Sequence, residues 1–220
     1  MGRVVAIDGP VGAGKSTVAR ALARRLGSRY VDTGAMYRSV AWAAVQRQIP
    51  LSDEDTVARL ARDLEIEFTP GHEEQRVRVN GEDVTEAIRR PEMSEASSIV
   101  SAYPAVREAM VALQRRMGAT GDIVMEGRDI GTVVFPDAEV KVYLDASLDE
   151  RAARRFRELR NRGEPVTYED VRTALEDRDH RDSTRTHSPL RVAAGAIVVN
   201  STGRQVADVV EEIVRRMGAA

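Results

Sequence analysis

The 220-residue chain contains no cysteine. That excludes disulfides and thiolate metal sites. Histidine is almost as scarce. His72, His180 and His187 are the three present, and the last two are separated by more residues than zinc ligands usually are. All three read as ordinary polar residues, and no histidine metal centre is expected. Aromatic residues make up 4% of the chain. No apolar run approaches membrane-spanning length, and no repeat or low-complexity tract occurs. Neither sign of charge dominates. The formal net charge is −2, which argues against a general polyanion binder. An apolar strand begins within a few residues of Met1, so no signal peptide and a cytoplasmic location are expected. Lysine is nearly missing as well: Lys15 and Lys141 are the only two among 33 basic residues.

What is present is the composition of a soluble globular protein, 42% apolar and 31% charged. The length suffices for one sizeable core, or one core with insertions. The densest signal is Gly9-Pro10-Val11-Gly12-Ala13-Gly14-Lys15-Ser16-Thr17. It follows the apolar run Val4–Asp8. It precedes a helical pattern in which Val18, Leu22 and Leu26 recur on one face. Strand, glycine loop and helix in that order form the context in which G-x-x-x-x-G-K-[ST] cradles phosphates. Glycines let the backbone adopt positive φ and approach a ligand. Consecutive N–H groups then form an anion-binding concavity, and the helix N-terminus adds partial positive charge. Lys15 supplies a compact full charge to the terminal phosphates, where a planar arginine fork fits poorly. The Ser16 hydroxyl is placed to hold Mg²⁺.

Further along, Ser28–Asp32 reads as a short strand, Thr33-Gly34 as a turn and Ala35–Gln48 as a helix. Ser52 or Asp53 caps another helix through Asp63. Between Glu65 and Asp83, Ile66 and Phe68 alternate with charge, as do Val77 and Val79, and Asn80-Gly81 is a hairpin signal. This predicts a small antiparallel insertion. Helices follow to Ala102 and, from Pro104, along Val106, Met110, Leu113 and Met117. Asp122–Glu126, Val140–Leu144 and Ala196–Asn200 supply three more core strands. With Val4–Ile7 and the strand near Tyr30, five strands separated by helices predict a parallel sheet with helices on both faces. Ligands bind beyond the carboxyl ends of such strands. That singles out Gly9–Thr17, Asp32-Thr33-Gly34 and Gly127-Arg128-Asp129.

Residues 151–191 hold eleven arginines and eight carboxylates. Arg151, Arg154, Arg155 and Glu158 share one helix face by spacing, and Gly163-Glu164-Pro165 ends that helix. Thr167 and Asp170 resemble a capping box. On the next helix Arg178, Arg181, Asp182 and Arg185 are expected on one face. Phosphoryl transfer is accelerated chiefly by positioning and by cations at the equatorial oxygens. Two arginine-bearing helices that exclude water would serve as a lid.

End to end, the chain resembles the cytidylate kinase family of P-loop nucleoside monophosphate kinases. The carriers are residues 7–17, Asp32-Thr33-Gly34-Ala35-Met36-Tyr37-Arg38, the run from Gly127 to Ala138, and Arg178-Asp179-His180-Arg181-Asp182-Ser183-Thr184-Arg185. The resemblance implies transfer of the γ-phosphoryl group of ATP to CMP or dCMP. It implies ATP binding by Gly9 through Thr17 and Arg155. Lys15, Arg128, Arg178 and Arg185 are the implied catalytic residues. Thr33, Tyr37, Arg38, Ser98, Arg107, Arg128, Asp129, Asp182 and Arg185 are the implied acceptor residues. Among them, Arg38, Arg128 and Arg185 would hold the acceptor phosphate. Asp129, Ser98 and Arg107 would read the cytosine, and Asp182 the sugar. Thr33 stands where the family often has Ser. Arg151, Arg154, Arg157 and Arg181 would join Arg155 and Arg178 in the lid. Mg²⁺ accompanies ATP, with Ser16 as its protein ligand. The implied layout is core 1–36, acceptor part 37–103 with an insertion near 65–90, core 104–150, lid 151–186 and core 187–220. A monomer that binds neither nucleic acid nor membrane is expected.

Two other classes of P-loop protein stay open at this point. One is a kinase for another small acceptor, such as UMP, dephospho-coenzyme A or shikimate. The other is a nucleotide switch without an acceptor, although no Asn-Lys-x-Asp guanine motif occurs. A nucleic-acid module built on the arginine helices would bind oligonucleotides in a salt-sensitive way, and the near-neutral charge speaks against it.

Overall fold

The computed structural model describes residues 2–69 and 75–218, so His72 lies outside the described residues. The elements in chain order are β1 (Val4–Asp8), α1 (Lys15–Leu26), β2 (Arg29–Asp32), α2 (Thr33–Gln46), α3 (Glu54–Asp63), β3 (Ile66–Thr69), β4 (Arg76–Val79) and β5 (Glu82–Asp83). They continue with α4 (Pro91–Val100), α5 (Pro104–Gly118), β6 (Ile123–Gly127), β7 (Val140–Asp145), α6 (Leu148–Asn161), α7 (Tyr168–Thr184), β8 (Ile197–Asn200) and α8 (Val206–Met217). The chain forms two compact units. One comprises residues 1–30 and 121–220, the other Val31–Thr120.

In the first unit, Val5, Ala6 and Ile7 are all fully buried. Successive strand side chains point to opposite faces, so burial of three in a row requires both faces of the sheet to be covered. That is the signature of a parallel sheet between helices. The strand order is β2-β6-β1-β7-β8, and β1 runs parallel to β6 and to β7, as β7 does to β8. Val18, Ala19 and Leu22 of α1 and Val209, Val210 and Ile213 of α8 pack with Val5, Ile7, Val124, Val142 and Leu144. Each of the valine, leucine and isoleucine side chains among them contributes about 1.5–3 kcal/mol of burial. The register sets Asp8 beside Gly127 and beside Tyr143. The glycine loop and the Gly127-Arg128-Asp129 segment therefore leave the sheet at the same level.

Helices α6 and α7 carry a small core of their own, formed by Ala152, Leu159, Val171 and Leu175 with Phe156 and Tyr168 against them. Gly163 turns the chain between them at φ 81°. The Thr167–Asp170 capping box forms in both directions. Arg181 is exposed and Asp182 buried, and Arg185 lies just past the helix end. The four residues expected on one face of α7 are therefore split. Two residues one step apart on a helix diverge by 100°.

In the second unit the predicted turn at Thr33-Gly34 is instead the first turn of α2. Asp32 caps that helix, its Oδ1 accepting from the Ala35 amide at 3.1 Å, and a capped start recruits the two residues after the cap. Asp53 caps α3 in the same way. The insertion is a three-stranded antiparallel sheet in the order β3-β4-β5. Ile66 pairs with Val79 and Phe68 with Val77. Asn80 and Gly81 both take positive φ, 49° and 82°, as a two-residue hairpin requires. Proline opens both α4 and α5.

Candidate active site

The loop after β1 owes its shape to glycine. Gly9, Gly12 and Gly14 have φ of 152°, 80° and 90°, which L-residues with a Cβ rarely adopt. A Cβ on Gly9 would stand 2.0 Å from the Leu144 carbonyl oxygen. Gly9→Ala is therefore expected to push β1 and β7 apart at the loop, costing about 2–4 kcal/mol. A melting temperature within 2–3 degrees of wild type would refute this. Helix α1 has no carboxylate in its first turn, so its positive end is uncompensated. Ser16 and Thr17 are exposed there.

Lys15 is 6% exposed, and its Nζ donates to the Pro10 carbonyl at 2.7 Å. Burial and the nearby Arg128 guanidinium push its pKa down to about 7, against the pull of Glu126 and Asp182, with Arg178 adding to the depression. No carboxylate forms a close ion pair with this ammonium among the described residues; Glu126 and Asp182 act on it from farther off. Glu126, the residue before the last of β6, is 4% exposed and accepts from the Tyr30 hydroxyl.

Arg128 donates from Nε to Asp182 Oδ2 at 2.9 Å. Arg185 stands 3.9 Å from the other oxygen of Asp182 and donates from Nε to the Ser188 carbonyl at 2.6 Å. Burial alone would raise the Asp182 carboxyl. The charges of Arg128, Arg178 and Arg185 outweigh it and hold the group below the ordinary value. Lys15, Arg128, Arg178, Asp182 and Arg185 are thus one electrostatic cluster. Asp129 is 5% exposed and begins a single π-helical turn. Its carbonyl accepts from the amides of both Val133 and Val134. Arg155 pairs with Glu158 at 2.8 Å and is a quarter exposed.

The second unit gathers its own set. Arg38 donates to Asp32 Oδ2 at 2.7 Å. The Asp32 carboxyl, which burial would raise, is held low by Arg38 and by the amides of Ala35 and Gly34. Arg107 is 5% exposed, lies 5.5 Å over the Tyr37 ring and donates to the Ser101 carbonyl at 3.2 Å. It is no solvated helix residue. Thr33 is buried and Ser98 half-buried. Ser97 and Ser101 bond back to their own turns, and Ser98 Oγ makes no such bond among the described contacts.

Three carboxylates with structural work here were given no role by the motifs in which, or beside which, they stand. Asp8 accepts from the amides of Ile130 and Gly131 at 2.8 and 2.7 Å and so clamps the segment after Asp129 to the end of β1. Burial raises its pKa to about 6, partly offset by those two amides. Asp32 and Glu126 are the others. The signal was available. Each is a carboxylate at or next to the end of a strand of the parallel sheet, where burial demands a partner.

The profile of the cytidylate kinase family matches residues 5–219. A cytidylate kinase of Desulfitobacterium hafniense (strain Y51) is 50% identical over 209 residues, covering 95% of this chain and 90% of that protein. A bifunctional pantoate ligase/cytidylate kinase of Prochlorococcus marinus (strain MIT 9303) is 51% identical over 96% of this chain, which spans only 44% of that longer protein. Among solved structures, a shikimate kinase of Acinetobacter baumannii in complex with shikimate superposes with a TM-score of 0.52, over 100% of this chain and 94% of that one. At 15% identity it speaks for the fold alone. The P-loop, the buried lysine and the arginine cluster thus sit in a sequence matched almost throughout, and the chain belongs to the cytidylate kinase family.

Proposed function

We propose that the protein transfers the γ-phosphoryl group of ATP to CMP or dCMP, yielding ADP and CDP or dCDP. The observation that carries this is Lys15, buried and without a close carboxylate partner among the described residues, in a cluster with Arg128, Arg178 and Arg185 beside the P-loop. An acceptor phosphate oxygen attacks the γ-phosphorus, and the bond to the β–γ bridging oxygen breaks. The acceptor is already an anion, so no strong base is needed. Catalysis falls to positioning and charge.

The backbone N–H groups of the Gly9–Thr17 loop, other than Pro10, which has none, and the Lys15 ammonium take the ATP phosphates, with Arg155 and Arg178 as further cations. Arg128 and Arg185 hold the acceptor phosphate bidentately, and Arg38 is assigned to the same group. Asp182 takes the sugar, and Thr33, Tyr37, Ser98 and Arg107 are assigned to the acceptor nucleotide. The same reading makes the protein a cytoplasmic monomer that binds neither nucleic acid nor membrane. Among the described residues no helix is long and apolar enough to cross a membrane.

No group of three or more His, Asp or Glu side chains able to hold a metal occurs among the described residues. That fits Mg²⁺, which in kinase sites relies on substrate phosphates, waters and one or two protein oxygens. Ser16, exposed in the first turn of α1, is the residue suited to it. When bound it would neutralise charge on the β- and γ-oxygens.

Asp129 accepts a hydrogen bond from the cytosine amino group, where uracil presents a carbonyl. An unmatched buried carboxylate costs about 2–3 kcal/mol, or roughly 30–150-fold in kcat/KM. Steady-state rates with ATP across CMP, dCMP, UMP, AMP and shikimate are the test. UMP used as efficiently as CMP would remove the role of Asp129, and no turnover of CMP would remove the function.

A further inference from the structure

A peptide unit points its N–H and its C=O in opposite directions. A loop that turns its amides toward an anion must find donors for the carbonyls it turns away. The carbonyl of Val11 accepts from Arg151 at 3.2 Å. The carbonyl of Ala13, a fully buried residue, accepts from the Ser201 hydroxyl at 2.8 Å and from Arg154 at 3.4 Å.

These donors are themselves fixed. Arg154 donates to the Ser201 hydroxyl oxygen at 3.1 Å and the Ser201 carbonyl at 2.8 Å, and Glu150 holds its Nε at 2.9 Å. The Ser201 amide donates to the Asp145 carbonyl at 2.8 Å, at the end of β7. Arg151, 6% exposed, donates to the Ala146 carbonyl at 3.0 Å and pairs with Asp179 of α7 at 2.6 Å. Gly12 and Gly14 complete the fit. A Cβ on Gly12 would lie 3.0 Å from Arg151 Cβ, and one on Gly14 would lie 3.6 Å from the Arg154 guanidinium.

We propose that Arg154 and Ser201, seconded by Arg151, are positioning residues that hold the P-loop in its anion-binding shape by ligating its carbonyls. Two of the arginines that the sequence assigned to the lid are thereby tied to the loop backbone. Arginine suits the task, because its rigid fork serves two or three carbonyls at once while an ammonium serves as a point donor. The Arg151–Asp179 pair extends the brace to the helix that bears Arg178 and Asp182. This inference rests on the reading of the loop as a nucleotide site.

The test is calorimetric titration with ADP, alongside KM for ATP and for CMP, in Ser201→Ala, Arg154→Lys and the double variant. Each single variant is expected to weaken ADP and raise KM for ATP about three- to tenfold. KM for CMP should stay within about twofold, and the double variant should lose less than the product of the two. Thermal melts report whether each variant is folded. Unchanged ADP affinity in both folded single variants overturns the brace alone, as does an equal loss for ADP and CMP. Wild-type protein that binds no ADP overturns the nucleotide reading beneath it.

Discussion

Replacing Lys15 by alanine is expected to lower kcat/KM by at least about 10³-fold without lowering the melting temperature. The ammonium is 6% exposed and burial holds its pKa near 7, so in the empty protein it is a burden on the fold. The proposed contact with a nucleotide phosphate would relieve that burden. Arriving phosphates must then raise its pKa, so nucleotide binding above pH 7 takes up protons. Titrations of ADP in two buffers of different ionisation enthalpy measure that uptake directly, and the Lys15→Ala protein should show none of it. Retained turnover, or undiminished proton uptake in the variant, would remove Lys15 from its role.

Arg128→Ala is expected to cost about 10²–10³-fold in kcat/KM, and here the fold suffers too. Arg128 is the nearest partner of Asp182, a carboxylate only 7% exposed. Deleting one member of a buried pair strands the other, at about 1–3 kcal/mol with Arg178 and Arg185 still close by. The pH dependence has a definite sign. Asp182 titrates below its ordinary 3.8 in the folded state, so its contribution is present above that value and is lost as pH falls. In Arg128→Ala the Asp182 carboxyl moves back toward its ordinary value, so this loss on acidification should shrink and the stability gap to wild type should narrow as pH falls. The double variant Arg128→Ala/Asp182→Asn separates the two effects. Its melting temperature should recover and its turnover should not. Recovery of turnover would assign Arg128 to the fold alone.

Much of the fold was legible because its signals are local. Five apolar runs separated by helical patterns gave the sheet, Asn80-Gly81 gave the hairpin, and the glycine loop gave the strand-to-helix turn. The errors were also local. Thr33 and Gly34 look like a turn until the Asp32 side chain is known to cap the helix they open. Spacing alone put Arg181 and Asp182 on one face, where burial separates them.

The site was less legible where its contacts span long distances in sequence. Asp8 clamps residues more than 120 positions away, and Ser201 reaches back 188 positions to Ala13. No periodicity encodes such pairings. Only the parallel register, which sets Asp8 beside Gly127, brings them together. Arg151 and Arg154 were read as cations for phosphate because arginine has two uses, and the choice between anion and carbonyl is made by what folds beside it.

The burial of Lys15 bears on how the protein can be watched. Its only side-chain primary amines are those of Lys15 and Lys141. Lys141 sits at the surface with Nζ donating to the Pro136 carbonyl, whereas Lys15 is enclosed and its pKa is pushed down to about 7. An acylating reagent small enough to enter the loop finds an enclosed amine of lowered pKa at one position and a surface amine at the other. Occupancy of the loop can then be read by mass spectrometry as protection of one peptide, with the second serving as an internal reference.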